Sequence, residues 1–339
     1  MFEYQELEDA LVSFIKERTE GKDVGVACSG GLDSGLVSAI AKRYAKSVTL
    51  YSCGTKNAHD VLMTKDLSER TGIPMVHAKI TKGDMHGLIR EMIEIAGQPD
   101  PFTVSYEMPL LCVCRTAKED VILTGQGADE YFMGCAKFVG ASLEDYEVLK
   151  TASVERLLNI SVPCELKIAE HFGKELIYPY LDDNITSLVA EIDPEILRPK
   201  DMDSRKEVLR KIAIHLGFDF LAKRPKKSSQ YGSGTTDLIR GIAKENNMMY
   251  AEYIASIRDE VTYGKIPLKR GSVINARIDP IVKERAERIL LQKGLTPSEV
   301  IEDLYRKIIE NGGSGLESLR SVQSDVEYCY TDDDENDTA

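Results

Sequence analysis

Ser29, Gly30, Gly31, Leu32, Asp33 and Ser34 combine two ingredients of phosphate chemistry, a pliable backbone and a charge. The run before them, Asp23–Cys28, is short, apolar and β-leaning. After them Leu36, Val37, Ile40, Ala41 and Tyr44 recur at helical spacing. Two glycines between a strand and a helix let successive backbone N–H groups turn toward one point. The helix N-terminus adds its positive dipole end, so the segment reads as an anion cradle. A Walker A loop would carry a Lys here. This chain carries Asp33, which makes sense beside a phosphate if Mg2+ bridges the two. The reading without a ligand is a tight turn capped by Ser.

A second stretch suits the same ligand. Lys223, Arg224, Lys226 and Lys227 precede Gly232 and Gly234, a basic loop fit for a polyphosphate or, failing that, a solvated turn. The seven Cys and five His show neither disulfide-framework nor metal-ligand spacing, which points to reduced thiols and an intracellular protein. Cys112 and Cys114 read as small buried apolar residues.

The elements that must position these residues follow from periodicity. Tyr4, Leu7, Leu11, Phe14 and Ile15 make an amphipathic first helix. Strands at 23–28, 48–52, 74–80 and 120–124 alternate with helices at 34–45, 58–71, 84–96 and 103–117. Such alternation implies a parallel sheet covered on both faces, with ligands beyond the C-terminal strand ends. Ser29–Ser34, after the first strand, and Gly125–Glu130, after the last, are expected to meet there. Residues 142–256 read as mostly helical.

From Gly271 the character changes. Residues 273–278 alternate like a strand, and Asp279-Pro280 opens a helix over 281–293 that Gly294 stops. Thr296 and Glu299 form a capping box for a second helix with Val300, Ile301, Leu304 and Ile308 inward. The tail after Gly313 is acidic and expected to be disordered. The 339 residues thus suggest 1–256 as the main domain, 257–271 as a linker, 272–312 as a small module and 313–339 as a tail. A net charge of −13 argues against general nucleic-acid or membrane adsorption. The N-terminus lacks a signal-peptide core and no apolar run reaches the length of a membrane span, so a cytoplasmic protein is expected.

The segments together resemble the asparagine synthetases, N-type ATP pyrophosphatases of the PP-loop class. Ser29–Ser34 is similar to their pyrophosphate loop, and Gly125–Glu130 to their Gly-Glu-Gly-Ala-Asp-Glu segment. Tyr178–Asp182 is similar to their Val-Pro-Phe-Leu-Asp, and Arg224 and Lys226 with Gly232 and Gly234 to their basic loop. The resemblance covers about residues 1–255. It implies a doubly wound α/β fold with a helical C-terminal part and a small β-α-α appendage. It implies an ATP-dependent ligase that adenylates a carboxylate, aspartate first among candidates, releases pyrophosphate and amidates with ammonia or a separate glutaminase.

The resemblance also implies site residues. Ser29, Gly30, Gly31, Leu32, Asp33 and Ser34 would hold pyrophosphate, and Asp33 and Asp129 Mg2+. Backbone at Ala27, Cys53 and Gly125 would meet adenosine. Lys226, assisted by Arg224, would neutralise the α-phosphoryl group. Asp100 falls near the site by alignment or serves as a turn residue.

Three departures matter. Phe2 stands where the glutaminase domain of the family would supply a nucleophilic Cys. Gln126 replaces a Glu and cannot act as a base; placed with the catalytic residues, it would position substrate by hydrogen bonds. Ile177 replaces an Arg, which puts acidic-substrate recognition in question. Residues 272–312 resemble the ribbon-helix-helix domains of antitoxins. That resemblance implies a homodimer with Ile274, Ala276 and Ile278 inward, and either DNA contacts by Asn275 and Arg277 or dimerisation alone. A related ligase with another acceptor, or a DNA-binding regulator that uses the core as a nucleotide sensor, are the alternatives.

Overall fold

The computed structural model describes residues 2–97, 99–224, 229–263 and 276–310. Five strands, β1 (Asp23–Ala27), β2 (Ser47–Gly54), β3 (Met75–Lys79), β4 (Val121–Leu123) and β5 (Glu175–Ile177), form one all-parallel sheet in the order β3-β2-β1-β4-β5. Val24 pairs with Val48 on one side and Val121 on the other, and Leu123 pairs with Ile177. The chain winds outward from β1 to β3, then returns to place β4 on the opposite side of β1. That reversal opens a crevice beyond the ends of β1 and β4, where such sheets bind ligands.

Alternation along the strands sorts side chains to two cores. Val24, Val26, Leu50 and Leu123 face a layer built from α1 (Gln5–Thr19), α2 (Leu32–Ala41), α3 (His59–Thr71), and the later α8 (Asp183–Ala190) and α9 (Glu207–His215). Tyr51, Cys53 and Ile122 face α4 (Met85–Ala96), α5 (Pro101–Thr116), α7 (Val162–His171), α10 (Thr235–Glu245) and α11 (Tyr250–Tyr263). Helix α6 (Leu143–Arg156) leads through a π-helical turn at Leu157–Ser161 into α7. Gly25 is needed in mid-strand because a Cβ there would lie 2.6 Å from Ile122 Cδ1.

Periodicity located β1 to β4. It missed β5, a three-residue edge strand that opens on an exposed Glu175, whereas the equally short β4 is a continuous apolar Val-Ile-Leu run. Gly125–Glu130 therefore follows β4 and not the last strand, and Ile177 is the buried end of β5. Helix α2 starts at Leu32, so Asp33 and Ser34 stand in its first turn. Asp100 caps α5: its carboxylate accepts from the Phe102 and Thr103 N–H groups at 2.9 and 3.1 Å. This explains why the helix begins at Pro101 and not at 103. Cys112 and Cys114 are buried, as expected.

A second unit begins at Val282. It holds most of α12 (Pro280–Gln292) and all of α13 (Pro297–Glu310). The Thr296–Glu299 capping box forms as read, with Thr296 N–H and Oγ1 donating to Glu299 Oε2 at 2.7 and 2.8 Å. The apolar faces of the two helices are open to solvent: Val282 is 59%, Ile289 54% and Leu304 42% exposed. Ala276 and Ile278 lie in irregular chain and are exposed; residues 271–275, including Val273, Ile274 and Asn275, and the tail from 311 lie outside the described residues. No described helix is long and apolar enough to cross a membrane.

Candidate active site at the strand reversal

The loop after β1 is held from behind. Gly30 has φ +70° and packs so tightly on α3 that a Cβ would stand 2.3 Å from the Met63 carbonyl carbon, so only glycine fits. Ser34 Oγ accepts from Ser29 N–H at 3.3 Å and folds the loop back on the helix start. Gly31 is the N-cap of α2 and supplies no side-chain cap, which leaves the first helical N–H groups for a ligand. Gly125 presses on this turn, since a Cβ there would stand 2.9 Å from Ser34 N.

Arg224 reaches the same loop from 194 residues further along the chain. It is buried, and its Nη1 donates to Gly30 O at 2.5 Å and Met63 O at 2.9 Å while Nη2 meets Asp66 at 2.6 Å. The guanidinium thus braces the loop backbone. Lys226 lies outside the described residues. The Tyr178–Asp182 motif buttresses both loops: Tyr180 OH donates to Asp33 O at 3.1 Å, and Leu181 packs where a Gly127 side chain would otherwise sit. Asp182 caps α8.

Asp33 and Asp129 are brought together, as the Mg2+ reading requires, and a lysine joins them. Lys206 Nζ lies 2.5 Å from Asp33 Oδ2 and 2.5 Å from Asp129 Oδ1, with its side chain only 3% exposed. Its backbone is left-handed, φ +59°, at the start of α9. Gly134 makes room, because a Cβ there would collide with Asp129 and Lys206 together. Helical periodicity over 142–256 does not single out this lysine. A Lys where Ser or Asp usually caps was the available signal. Arg205 and Arg210 join Lys206 and Arg224 around a pocket at Ser29, Gly31, Leu32 and Asp33, so a polyphosphate here would meet concentrated positive charge.

A larger cleft, with a volume of about 130 Å3, continues along the strand ends. Ala27, Cys53 and Gly125 line it, and Gln126 lines it with Glu107 of α5 and Glu165 of α7. Gln126 Nε2 donates to Glu165 Oε1 at 2.7 Å. Burial pushes the Glu165 carboxyl up to about 7. Burial and then the neighbouring Glu165 push Glu107 well above the usual carboxylate range. Neither Glu107 nor Glu165 was picked out from sequence; single glutamates inside helical patterns read as solvent-facing.

As a metal test, Asp33 Oδ1 is a buried oxygen without a hydrogen-bond partner among the described residues. With Asp129 it offers two carboxylates, a set that fits Mg2+ completed by phosphate oxygens and water. No described cluster of three or more His, Cys, Asp or Glu makes an all-protein metal cage.

Fold and loop together define an α/β protein with a doubly wound parallel sheet and a glycine loop at its strand reversal. Residues 6–159 match the sequence model of the asparagine synthase family. The chain is similar to an asparagine synthetase (glutamine-hydrolyzing) 1 of Methanocaldococcus jannaschii, 28% identical over 278 residues, 70% of this chain and 51% of that protein. It is also similar to the asparagine synthetase of Brassica oleracea, 26% identical over 220 residues, 60% and 37% of the two chains. The chain thus spans about half or less of the length of these relatives. The solved NMN synthetase of Francisella tularensis gives a TM-score of 0.38 at 13% identity over 79% of this chain and 89% of its own, a likeness too loose to bear on the reaction.

Proposed function

We propose that the chain is an ATP-dependent amide ligase that forms AMP and pyrophosphate. A carboxylate oxygen attacks the α-phosphorus, the bond to the β-phosphate oxygen breaks, and pyrophosphate leaves. An amine nitrogen then attacks the acyl carbon, the C–O bond to AMP breaks, and a proton leaves the nitrogen. Aspartate is the first carboxylate to test, given the relatives' names, with ammonia or another external amine as nitrogen source. The observation that carries the reading is the Ser29–Ser34 cradle at the strand reversal, faced by Lys206, Asp33 and Asp129.

The chain's own residues divide the work. Loop N–H groups and the start of α2 bind the departing pyrophosphate, and Arg224 keeps that loop in shape. Lys206 offsets charge where the phosphates separate; such preorganised groups contribute several kcal/mol in a dry site. Asp33 and Asp129 would hold Mg2+, which neutralises phosphate charge when bound. Lys226 is assigned to the α-phosphoryl group by resemblance. The test is 31P NMR of the full chain with ATP, Mg2+, aspartate and ammonium. AMP and pyrophosphate are expected, lost in Asp33→Ala; no nucleotide turnover with aspartate or with any member of a carboxylate panel overturns the reading.

The second unit supports a homodimer. Val282, Ile289, Leu304 and Tyr305 leave apolar side chains in solvent on two helices, more than a stable two-helix unit tolerates. Sedimentation is expected to give a dimer that Leu304→Glu dissociates; a monomeric wild type refutes this. DNA contact by Arg277 is the competing use of the unit, read by a mobility shift at low salt.

A further inference from the structure

We propose that the acidic end of the cleft is a primary-ammonium site, in which Glu107 and Glu165, steadied by Gln126, receive an alkylammonium group brought by a substrate. This deepens the ligase reading and rests on it. Glu107 and Glu165 are 2% and 4% exposed yet line the cleft with Gly125 and Gln126. Glu107 Oε1 and Glu165 Oε2 accept no hydrogen bond among the described residues. Among the described residues, the retained proton between the two carboxyls and the hydroxyls of Ser161 and Tyr178 are the only donors near them, and a charged group with several N–H donors would complete the two oxygens better.

The charge and shape of the walls select the occupant. Among the described residues lining this cleft there is no Lys, Arg or His; Asp33 and Asp129, which also line it, are already matched by Lys206, so the two glutamates set the charge of this end. An anionic group at this end would be repelled; a cation is attracted. Pro109, Leu110 and Val113 of α5 line the same cleft and offer apolar surface for a carbon chain. A primary ammonium has three donors and one charge, enough to meet both orphan oxygens with charge-assisted bonds. Gln126 already occupies Glu165 Oε1, which leaves Oε2 for the ligand.

Without a ligand the pair retains a proton, because burial and mutual repulsion disfavour two charges. The groups around it do not replace that proton. Ser161 and Tyr178 approach as neutral hydroxyls, Cys114 and Cys164 are thiols pushed up to about 12, and Arg156 acts on Glu107 only through its field. An arriving ammonium therefore displaces a proton. The ammonium has two possible sources, the nitrogen donor itself or the amino group of an amino-acid acceptor.

The experiment is calorimetric titration of n-butylammonium into the full chain carrying a non-hydrolysable ATP analogue and Mg2+. It is run at pH 6.5 in two buffers of different ionisation heat, with KCl as control. Wild type is expected to bind and to release on the order of one proton per ligand. Glu107→Gln and Glu165→Gln are each expected to weaken binding at least about tenfold and abolish proton release, with analogue affinity unchanged. No heat beyond the KCl control, or equal affinity in both variants, overturns the inference. Failure of the analogue itself to bind wild type marks the failure of the ligase reading instead. In separate turnovers with ATP, Mg2+ and aspartate, butylammonium that is incorporated into product identifies the donor, and butylammonium that only competes with aspartate identifies the acceptor; both support the site.

Discussion

The two ends of the crevice carry opposite charge, and each is built differently. At the loop end, Lys206, Arg205, Arg210 and Arg224 come from one stretch of chain and close on a backbone cradle. At the far end, Glu107 and Glu165 come from two helices of the other layer and face a cleft with no basic side chain among its described lining residues. The loop end is balanced within the protein, since its lysine already sits between two carboxylates. The acidic end is not balanced and retains a proton. One end is thus preorganised for a polyanion, and the other is incomplete until a donor arrives.

The largest effect is expected at the balanced end. Lys206→Met leaves Asp33 and Asp129 facing each other in a buried site, and breaking such a pair costs about 3–5 kcal/mol. Urea unfolding reads this, and AMP formation is expected to vanish in the same variant. Unchanged stability would mean that the lysine is not the balancing charge.

The acidic end gives a pH signature of opposite sense to an ordinary salt bridge. Glu165 is raised from 4.5 to about 7 on folding, so the native state holds the extra proton between these values. Its contribution to stability is full below pH 4.5 and is lost as pH rises toward 7. Wild type minus Glu165→Gln is expected to fall by on the order of 3 kcal/mol across that window. A flat difference removes the contrast between the ends.

Two smaller effects test the cradle. Gly30→Ala must place a Cβ against Met63 at a left-handed backbone, a strain of about 1–3 kcal/mol, and ATP affinity by titration is expected to fall at least about tenfold. Arg224→Lys keeps the charge but loses the fork to Gly30 and Met63, and a loss of about 1 kcal/mol in nucleotide binding is expected with the fold intact.

The balanced end was largely legible in sequence, because a glycine loop between a strand and a helix has local geometry. Asp129 and Gly125 also followed, from their place after β4. Lys206 was not legible: its left-handed backbone and its fit over Gly134 are tertiary facts. The acidic pair was hidden for a similar reason, since Glu107 and Glu165 become neighbours only when α5 packs on α7. Gln126 was marked as a departure, and its partner was invisible. The small unit shows the opposite case: its capping box was local and read correctly, whereas the burial assigned to its apolar face needed a partner that no single chain supplies.

The most direct test of the central claim is the product pair released from ATP. 31P NMR on wild type with ATP, Mg2+, ammonium and a carboxylate panel led by aspartate is expected to give AMP and pyrophosphate in equal amounts. Both should require the carboxylate, and both should disappear in Asp129→Asn. ADP with inorganic phosphate, or turnover that ignores every carboxylate, would contradict the account.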